Sequence, residues 1–195
     1  MKVLVFGDVI IDKYIYGTST RISPEAPVPV VTYGHTVETP GGAALVYENL
    51  KSLGVDATLL QTEQPSSIKT RIICDGHYIT RIDEDKPADS DAVLNNVLRS
   101  DFSQWDYVIL SDYNKGVLDN AKEIIAHINK CGCKVIVDPK RYAKNYEGVW
   151  LVKPNNSEYT KFEFDQWQGN IITTCLLYTS DAADDSLRVD LGGRR

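Results

Sequence analysis

Cysteine, histidine and long apolar runs are all scarce in this chain. Only four of its 195 residues are cysteine and three are histidine, and the histidines are scattered at positions 35, 77 and 127, with Cys131-Gly132-Cys133 in a predicted helix-to-strand turn. That pattern does not predict a zinc site, and in a cytoplasmic protein the four thiols are not expected to form a disulfide framework. No stretch is long enough to cross a bilayer, and the N-terminus lacks the apolar segment of a signal peptide. These absences predict a cytoplasmic protein that does not bind membranes.

Basic residues are also fewer than acidic residues in this chain. The chain has 21 Lys and Arg residues against 27 Asp and Glu residues, a net charge of −6. A general nucleic-acid binder needs basic residues to neutralise phosphates, so this composition excludes that class. With 43% hydrophobic residues over 195 positions, the chain can bury a sizeable core and is most simply one domain.

The first informative segment is an apolar run that ends in acids. Val3 to Phe6 is followed by Gly7-Asp8, and Asp12 comes shortly after. A continuous apolar run of this kind is typical of a parallel strand covered on both faces. In open α/β sheets, ligands bind just beyond the carboxyl ends of such strands. The segment therefore predicts carboxylates at a ligand site.

A second segment, Pro40-Gly41-Gly42, leads into a helical pattern that Gly54 closes. One face of this helix carries Ala43, Val46, Tyr47, Leu50 and Leu53. Glycines at a helix start let backbone amides approach a ligand closely, where the helix dipole favours negative charge. The segment predicts a pocket for a phosphorylated or hydroxyl-rich small molecule.

From residue 89 onward the pattern alternates regularly between helix and strand. Helices are predicted from Asp91 to Ser100 and from Asn120 to Lys130, and the second would connect two parallel strands. Strands are predicted at Tyr107–Ser111, Lys134–Val137, Val149–Val152 and Asn170–Thr174. The first three are followed directly by Asp112, Asp138 and Lys153, so polar side chains are expected along one edge of a parallel sheet.

Two further segments have β character. Residues 14–37 contain Pro27 and Pro29, which suits an edge strand and not a central one. Residues 68–83 contain Asp75-Gly76, the signature of a two-residue hairpin turn. That turn pairs Arg71 with Thr80, so Arg71 and Arg81 are expected on opposite faces.

Three motifs together resemble one family, namely residues 7–14, residues 21–31 (Arg-Ile-Ser-Pro-Glu-Ala-Pro-Val-Pro-Val-Val) and residues 40–44. They resemble the heptose 7-phosphate kinase branch of the ribokinase-like (PfkB) carbohydrate kinases, and residues 21–31 are the most discriminating. The likeness extends from Met1 to about Thr174. It implies a three-layer α/β/α fold with a mostly parallel sheet and a small β lid from residues 14–37 and 68–83. It also implies phosphorylation of the anomeric hydroxyl of a heptose phosphate by ATP and Mg²⁺, on the route to the activated heptose of lipopolysaccharide cores.

The resemblance also implies site residues. The sugar site would consist of Asp8, Asp12, Gly41, Gly42, Arg71, Arg81, Asp112 and Lys115. The nucleotide site would consist of Asn155, Asn156, Ser157 and Glu158, with Glu158 reaching Mg²⁺ through water. Simpler roles stay open: Asp12 as a turn acid, Asp112 and Lys115 as a salt-bridged loop, and Asn-x-x-Glu as a helix cap.

This sequence departs from the family in several places. Leu45 stands where the family has Asn, residues 54–67 form a shorter stretch, and the Gly-Ala-Gly-Asp element with the catalytic base does not occur. Residues 175–195 match nothing in the family and are expected to be a non-native tail resembling sequencing-adapter read-through, or a weakly ordered acidic tail. We therefore expect residues 1–174 to be the N-terminal portion of a kinase domain, inactive alone.

The expected partners are a sugar phosphate and ATP, with a homodimer through the lid and neither nucleic acid nor membrane. Two other functions stay open: a ribokinase-like kinase for a different sugar, and a non-catalytic binder of sugar phosphates. The sequence leaves open whether the intact gene encodes a nucleotidyltransferase domain.

Overall fold

The computed structural model describes residues 1–60 and 65–175. The prediction for the tail therefore lies, from residue 176 onward, outside the described residues. Within the described part, no helix is both long and apolar enough to cross a membrane.

The larger sheet has six parallel strands in the order β10-β9-β8-β7-β1-β4. Their bounds are β1 Lys2–Gly7, β4 Asp56–Leu60, β7 Tyr107–Ser111, β8 Lys134–Asp138, β9 Leu151–Val152 and β10 Asn170–Ile171. The apolar run at the N-terminus is thus a central strand, as predicted, because neighbours on both sides satisfy its backbone groups.

Two predicted strands are shorter than expected. The strand predicted from Val149 begins only at Leu151, because the Val149 amide bonds to the Tyr146 carbonyl and closes a turn instead. The strand predicted at Asn170–Thr174 ends at Ile171, and Thr174 forms an isolated bridge with Asn155. Among the described strands, β10 is at the edge of the sheet, where only β9 extends its ladder, and β9 is the strand next to it.

Helices lie on both faces of this sheet. Their bounds are α1 Ala43–Ser52, α2 Ser90–Leu98, α3 Ala121–Lys130 and α4 Asn156–Lys161, with short 3₁₀ helices at Ala143–Tyr146 and Phe164–Gln166. The predicted apolar face of α3 is fully buried: Ala121, Ile124, Ile125 and Ile128. It packs in one cluster with Leu4, Val108 and Val135 of the sheet, and each buried isoleucine stabilises the fold by about 1.5–3 kcal/mol.

The other helices bury less than their patterns predicted. In α1 only Ala43 is fully buried, and Leu53 is 78% exposed. Because Leu53 follows the last helical residue, it leaves the face that contacts β1 and β4. Asp89 caps α2 by accepting hydrogen bonds from the amides of Asp91 and Ala92, so the helix begins one residue earlier than predicted and ends at Leu98.

A second sheet of four strands has the order β3-β2-β5-β6. Its strands are β2 Val9–Thr18, β3 Thr32–Gly42, β5 Ser67–Cys74 and β6 His77–Asp85. The segment predicted as one edge strand is in fact two strands. Residues 14–18 belong to the central strand β2, and Pro27 and Pro29 lie in the connection to the edge strand β3, where a missing amide donor costs no ladder bond.

The predicted turn at Asp75-Gly76 is present, with φ of 51° and 80°. The predicted register is wrong, however. Ile72 pairs with Thr80 but Ile73 pairs with Tyr78, so Ile79 is an extra residue in a β-bulge. The bulge shifts Arg71 opposite Arg81, and the two arginines therefore share one face of the second sheet.

Candidate active site

Asp8 organises the loop that follows β7. Its side chain is fully buried, and Oδ2 accepts hydrogen bonds from the amides of Tyr113 (2.8 Å) and Lys115 (3.1 Å). Oδ1 accepts a third from the Val117 amide at 3.3 Å. Burial raises the pKa of the Asp8 carboxyl, although the amide hydrogen bonds lower it. Asp8 therefore holds this loop in place, and its predicted contact with a sugar stays a prediction.

Asp12 lies on β2 of the second sheet, and its Oδ1 forms an ion pair with Nη1 of Arg71 on β5. Both side chains are about one-fifth exposed, at 21% and 18%. The guanidinium of Arg71 also lies 5.2 Å from the centre of the Tyr14 ring, within cation–π range. Arg71 thus holds the Asp12 carboxylate in one orientation while leaving it partly accessible.

Both predicted glycines are required by close backbone packing. A Cβ at Gly41 would lie 2.4 Å from Oδ2 of Asp12, and a Cβ at Gly42 would lie 2.3 Å from the carbonyl oxygen of Asp8. Gly42 also has φ of +56°, a conformation that favours glycine. The two glycines therefore bring the start of α1 against both candidate acids.

Lys115 connects the two sheets. Its Nζ lies 2.6 Å from Oδ2 of Asp85 at the end of β6, and Oδ1 of Asp85 accepts a hydrogen bond from Ser67 (2.7 Å). The hydrogen bond from Lys115, followed by that from Ser67, lowers the pKa of the Asp85 carboxyl. Lys115 therefore lies at the border between the two sheets, and its positive charge is paired with the Asp85 carboxylate.

Asp112 is part of a buried polar cluster. Its Oδ2 accepts hydrogen bonds from Nε of Arg141 (2.9 Å) and from the hydroxyl of Tyr146 (2.7 Å). Its Oδ1 accepts one from the Asn114 amide at 2.7 Å. Arg141 also forms an ion pair with Asp119. The structure therefore places Asp112 in the salt-bridged loop that the sequence left open as an alternative.

Arg81 lies opposite Arg71 but pairs with an acid on its own strand. On the outer strand β6, its Nε lies 2.8 Å from Oδ1 of Asp83, and its side chain is 46% exposed. Although the bulge places Arg81 on the same face as Arg71, its guanidinium group forms an ion pair with Asp83, two residues away.

The Asn-x-x-Glu element caps α4. Oδ1 of Asn155 accepts from the Glu158 amide at 2.9 Å, and Oε2 of Glu158 accepts from the Asn155 amide at 3.0 Å, a capping box. Oε1 of Glu158 lies 2.7 Å from Nζ of Lys140. Asn156 and Ser157 are exposed on the first turn, and the Asn156 side chain donates to the Cys175 sulfur at 3.0 Å.

Asp138 is the last residue of β8 and pairs with Lys153, whose Nζ lies 3.1 Å from its Oδ1. Burial raises the pKa of the Asp138 carboxyl, and Lys153 opposes that shift. Across residues 1–60 and 65–175, no group of three or more His, Cys, Asp or Glu side chains is placed to hold a metal ion.

Several residues at this rim were absent from the predicted site. Asp138 and Lys140 were detectable, because both follow a predicted strand. Arg141 carried no such signal, since its partner Asp112 is 29 residues away. Tyr113 belongs to the Ser-Asp-Tyr-x-Lys-Gly motif at residues 111–116, but the motif does not predict the orientation of its ring.

No protein-family model matches the chain. A D-beta-D-heptose 7-phosphate kinase of Bordetella bronchiseptica is 37% identical over 80% of this chain, and the bifunctional protein HldE of Sulfurimonas denitrificans is 35% identical over 80%. This chain is a homologue of the heptose 7-phosphate kinases. It spans 60% of the length of the Bordetella relative and 40% of the Sulfurimonas relative.

Solved structures confirm the ribokinase-like fold. A nucleoside kinase of Burkholderia thailandensis, solved with inosine, has a TM-score of 0.59 at 14% identity, over 89% of this chain and 68% of that one. A ribokinase of Arabidopsis thaliana, solved with ribose and ATP, has a TM-score of 0.55 at 12% identity, over 89% and 71%. These likenesses agree with the α/β architecture predicted from the sequence.

Proposed function

We propose that this chain forms the sugar-binding half of an ATP-dependent heptose 7-phosphate kinase. The observation that carries the proposal is the Asp12 carboxylate, held by Arg71 against Gly41 beside the rim of the parallel sheet. A carboxylate accepts hydrogen bonds from adjacent sugar hydroxyls. A protein named D-beta-D-heptose 7-phosphate kinase is 37% identical over 80% of this chain, which supports the proposal.

In the proposed reaction, the γ-phosphoryl group of ATP passes to the anomeric hydroxyl oxygen, and a base takes the hydroxyl proton. The sequence contains no Gly-Ala-Gly-Asp element to supply that base. We therefore expect the chain as given to bind the sugar phosphate without transferring phosphate at enzymatic rates.

The nucleotide would lie beside α4. Lys140 is 45% exposed, so its ammonium group can contact a phosphate while staying near Glu158. Each Glu158 oxygen accepts one hydrogen bond here, and a carboxylate oxygen has a second lone pair. Glu158 therefore fits a Mg²⁺ ion held through water, as Mg²⁺ commonly retains several waters. When bound, Mg²⁺ would neutralise charge on the transferring phosphoryl group.

Calorimetric titration of the purified chain with heptose 7-phosphate tests the proposal. We expect binding by the wild type and at least tenfold weaker binding by Asp12→Asn, because the amide accepts fewer hydrogen bonds and donates where a hydroxyl donates. The matched control is Glu38→Gln, which removes one negative charge from the opposite face of the same sheet. No wild-type binding, or equal binding by Asp12→Asn, would contradict the proposal.

Leu45 supports a second candidate, a ribokinase-like kinase for another sugar. It lies in the first turn of α1, close to Gly41 and Gly42. An apolar side chain there cannot hydrogen-bond a sugar hydroxyl as the asparagine of the family would. Titration with a panel of sugar phosphates separates the two candidates: tighter binding of another sugar than of heptose 7-phosphate would favour this one.

The second sheet is the proposed contact between two copies of the chain. Its face opposite Asp12 carries Ile11, Ile15, Ile68 and Ile72, and Ile82, which is 50% exposed. Pairing two such faces would cover apolar surface that water otherwise contacts. Sedimentation velocity checks this: we expect a dimer for the wild type and a monomer for Ile82→Glu.

A further inference from the structure

Arg71 and Arg81 lie directly opposite each other on neighbouring strands of the second sheet. Side chains in that position are about 4.5–5.5 Å apart at Cβ, and like charges there repel each other. Lys69 adds a third cation, because side chains two residues apart on a strand share one face. We call Lys69, Arg71 and Arg81 the basic cluster. It is gathered on one face of a sheet in a chain whose net charge is −6.

Two carboxylates contact the basic cluster. Asp12 forms an ion pair with Arg71. Asp83 is shared by the other two cations, since its Oδ1 lies 2.8 Å from Nε of Arg81 and its Oδ2 lies 3.5 Å from Nζ of Lys69. Within residues 1–60 and 65–175, no other ion pair involves the three cations. Three positive charges against two negative charges leave one positive charge uncompensated.

The acid in the next row of this face does not supply the missing charge, because Asp85 is already paired with Lys115 at 2.6 Å. The basic cluster also retains hydrogen-bond donors. A guanidinium has five N–H donors, and Asp83 lies against only Nε and Nη2 of Arg81. Nη1 of Arg81 has no hydrogen-bond partner among the described residues, and the side chain is 46% exposed. Its free donors are therefore open to an anion from solvent.

The basic cluster lies farther from the rim of the parallel sheet than Asp12 does. β2 begins two residues after β1 ends and runs away from the rim. Arg71 pairs with Tyr14, two residues beyond Asp12, a step of about 6.6 Å along the strand. β6, which carries Arg81, is two strands from β2, or about 10 Å. A sugar held by Asp12 with its reacting hydroxyl at the rim would thus point its other end at the basic cluster.

We infer that the basic cluster binds the 7-phosphate group of the sugar, an assignment that rests on the proposed function. This phosphate is on the last carbon of the heptose, at the end opposite the anomeric carbon. A phosphate monoester carries close to two negative charges at neutral pH and has three acceptor oxygens. Arginine forms strong charge-assisted hydrogen bonds with such oxygens. An anion between Arg71 and Arg81 also replaces their repulsion with attraction to a common partner. Arg81 is then the residue that selects a phosphorylated sugar, whereas Asp12 binds hydroxyls.

Calorimetric titration with heptose 7-phosphate and with unphosphorylated heptose tests this inference. We expect the wild type to bind the phosphate ester at least tenfold more tightly than heptose. Arg81→Met should weaken binding of the ester at least tenfold and leave binding of heptose unchanged, because only the ester carries the phosphate. Lys69→Met is a second variant of the cluster and should show the same selective loss. Arg99→Met is the matched control, since it removes the same charge from an exposed residue after α2.

The outcomes separate this inference from the proposed function. If the wild type binds neither ligand, the proposed function fails and this inference fails with it. If the wild type binds both ligands equally tightly and Asp12→Asn binds neither, the proposed function stands and the basic cluster is not the phosphate site. Equal weakening of both ligands by Arg81→Met and Lys69→Met would also refute the inference, because the cations would then only hold the sheet in shape. Melting temperatures that match the wild type show that a loss of binding is not unfolding.

Discussion

Lys115 and Asp85 join the two sheets of this protein, with the ammonium nitrogen 2.6 Å from the carboxylate oxygen. Lys115 follows a strand of the parallel sheet, and Asp85 ends a strand of the second sheet. An ion pair at that border links the proposed sugar-binding sheet to the loop that Asp8 holds.

Asp85→Asn should remove part of the acid sensitivity of the protein. Because Lys115 and Ser67 lower the folded-state pKa of Asp85, this group stabilises the fold above its unfolded pKa and loses that contribution as pH falls through the folded pKa. Urea unfolding from pH 6 to pH 3 should show a smaller loss in Asp85→Asn than in the wild type. Glu147→Gln, in an exposed pair of 3.9 Å, is the control and should follow the wild type.

Asp8→Asn should destabilise the protein by about 1–3 kcal/mol at neutral pH, because the amide cannot accept from all three backbone donors. The pH dependence of the unfolding free energy should change in the opposite direction to that expected for Asp85→Asn. Burial raises the folded-state pKa of Asp8, so its stabilising contribution is greatest below its unfolded pKa and is lost as pH rises through the folded pKa. Urea unfolding from pH 3 to pH 8 measures both effects, with the exposed Asp56→Asn as control. Equal stability of the two variants would contradict the assigned role.

Arg141→Met should cost about 3–5 kcal/mol of unfolding free energy, because it leaves the Asp112 carboxylate buried without its charged partner. Tyr146→Phe removes a neutral donor from the same oxygen and the acceptor of the Lys140 amide, and it should cost about 1–3 kcal/mol. Tyr142→Phe is the control, since Tyr142 is exposed, and it should change stability little. If the two losses of unfolding free energy simply add in the double variant Arg141→Met/Tyr146→Phe, the two residues do not act as one cluster.

Gly42→Ala should destabilise the protein by several kcal/mol more than Gly54→Ala. Both glycines have positive φ, +56° and +76°, so each alanine carries backbone strain of about 1–2 kcal/mol. Only Gly42 has a backbone oxygen 2.3 Å from the position of a new Cβ, whereas Gly54 has no atom within 4 Å. Thermal and urea unfolding of the two variants separate strain from close packing. Equal losses would mean that the approach of Asp8 to Gly42 is unimportant.

Much of the parallel sheet could be predicted because its signals are local. The apolar run of β1 and the helical spacing of α3 each depend on residues adjacent in sequence, and both are where the patterns predicted them. The acids after the strands were also found, because parallel strands bring their carboxyl ends to one edge. The partners of those acids could not be found, since Arg141 is separated from Asp112 by 29 positions.

By itself, the sequence determined the α/β alternation, the turn at Asp75-Gly76 and the kinase relationship carried by residues 7–14, 21–31 and 40–44. Only the tertiary structure decided that a bulge at Ile79 places Arg71 and Arg81 on one face, and that Asp8 holds a loop while Asp12 stays accessible. The physical reason is that propensity and periodicity act over a few residues. Strand register and the pairing of buried charges depend on contacts between segments that are distant in the chain.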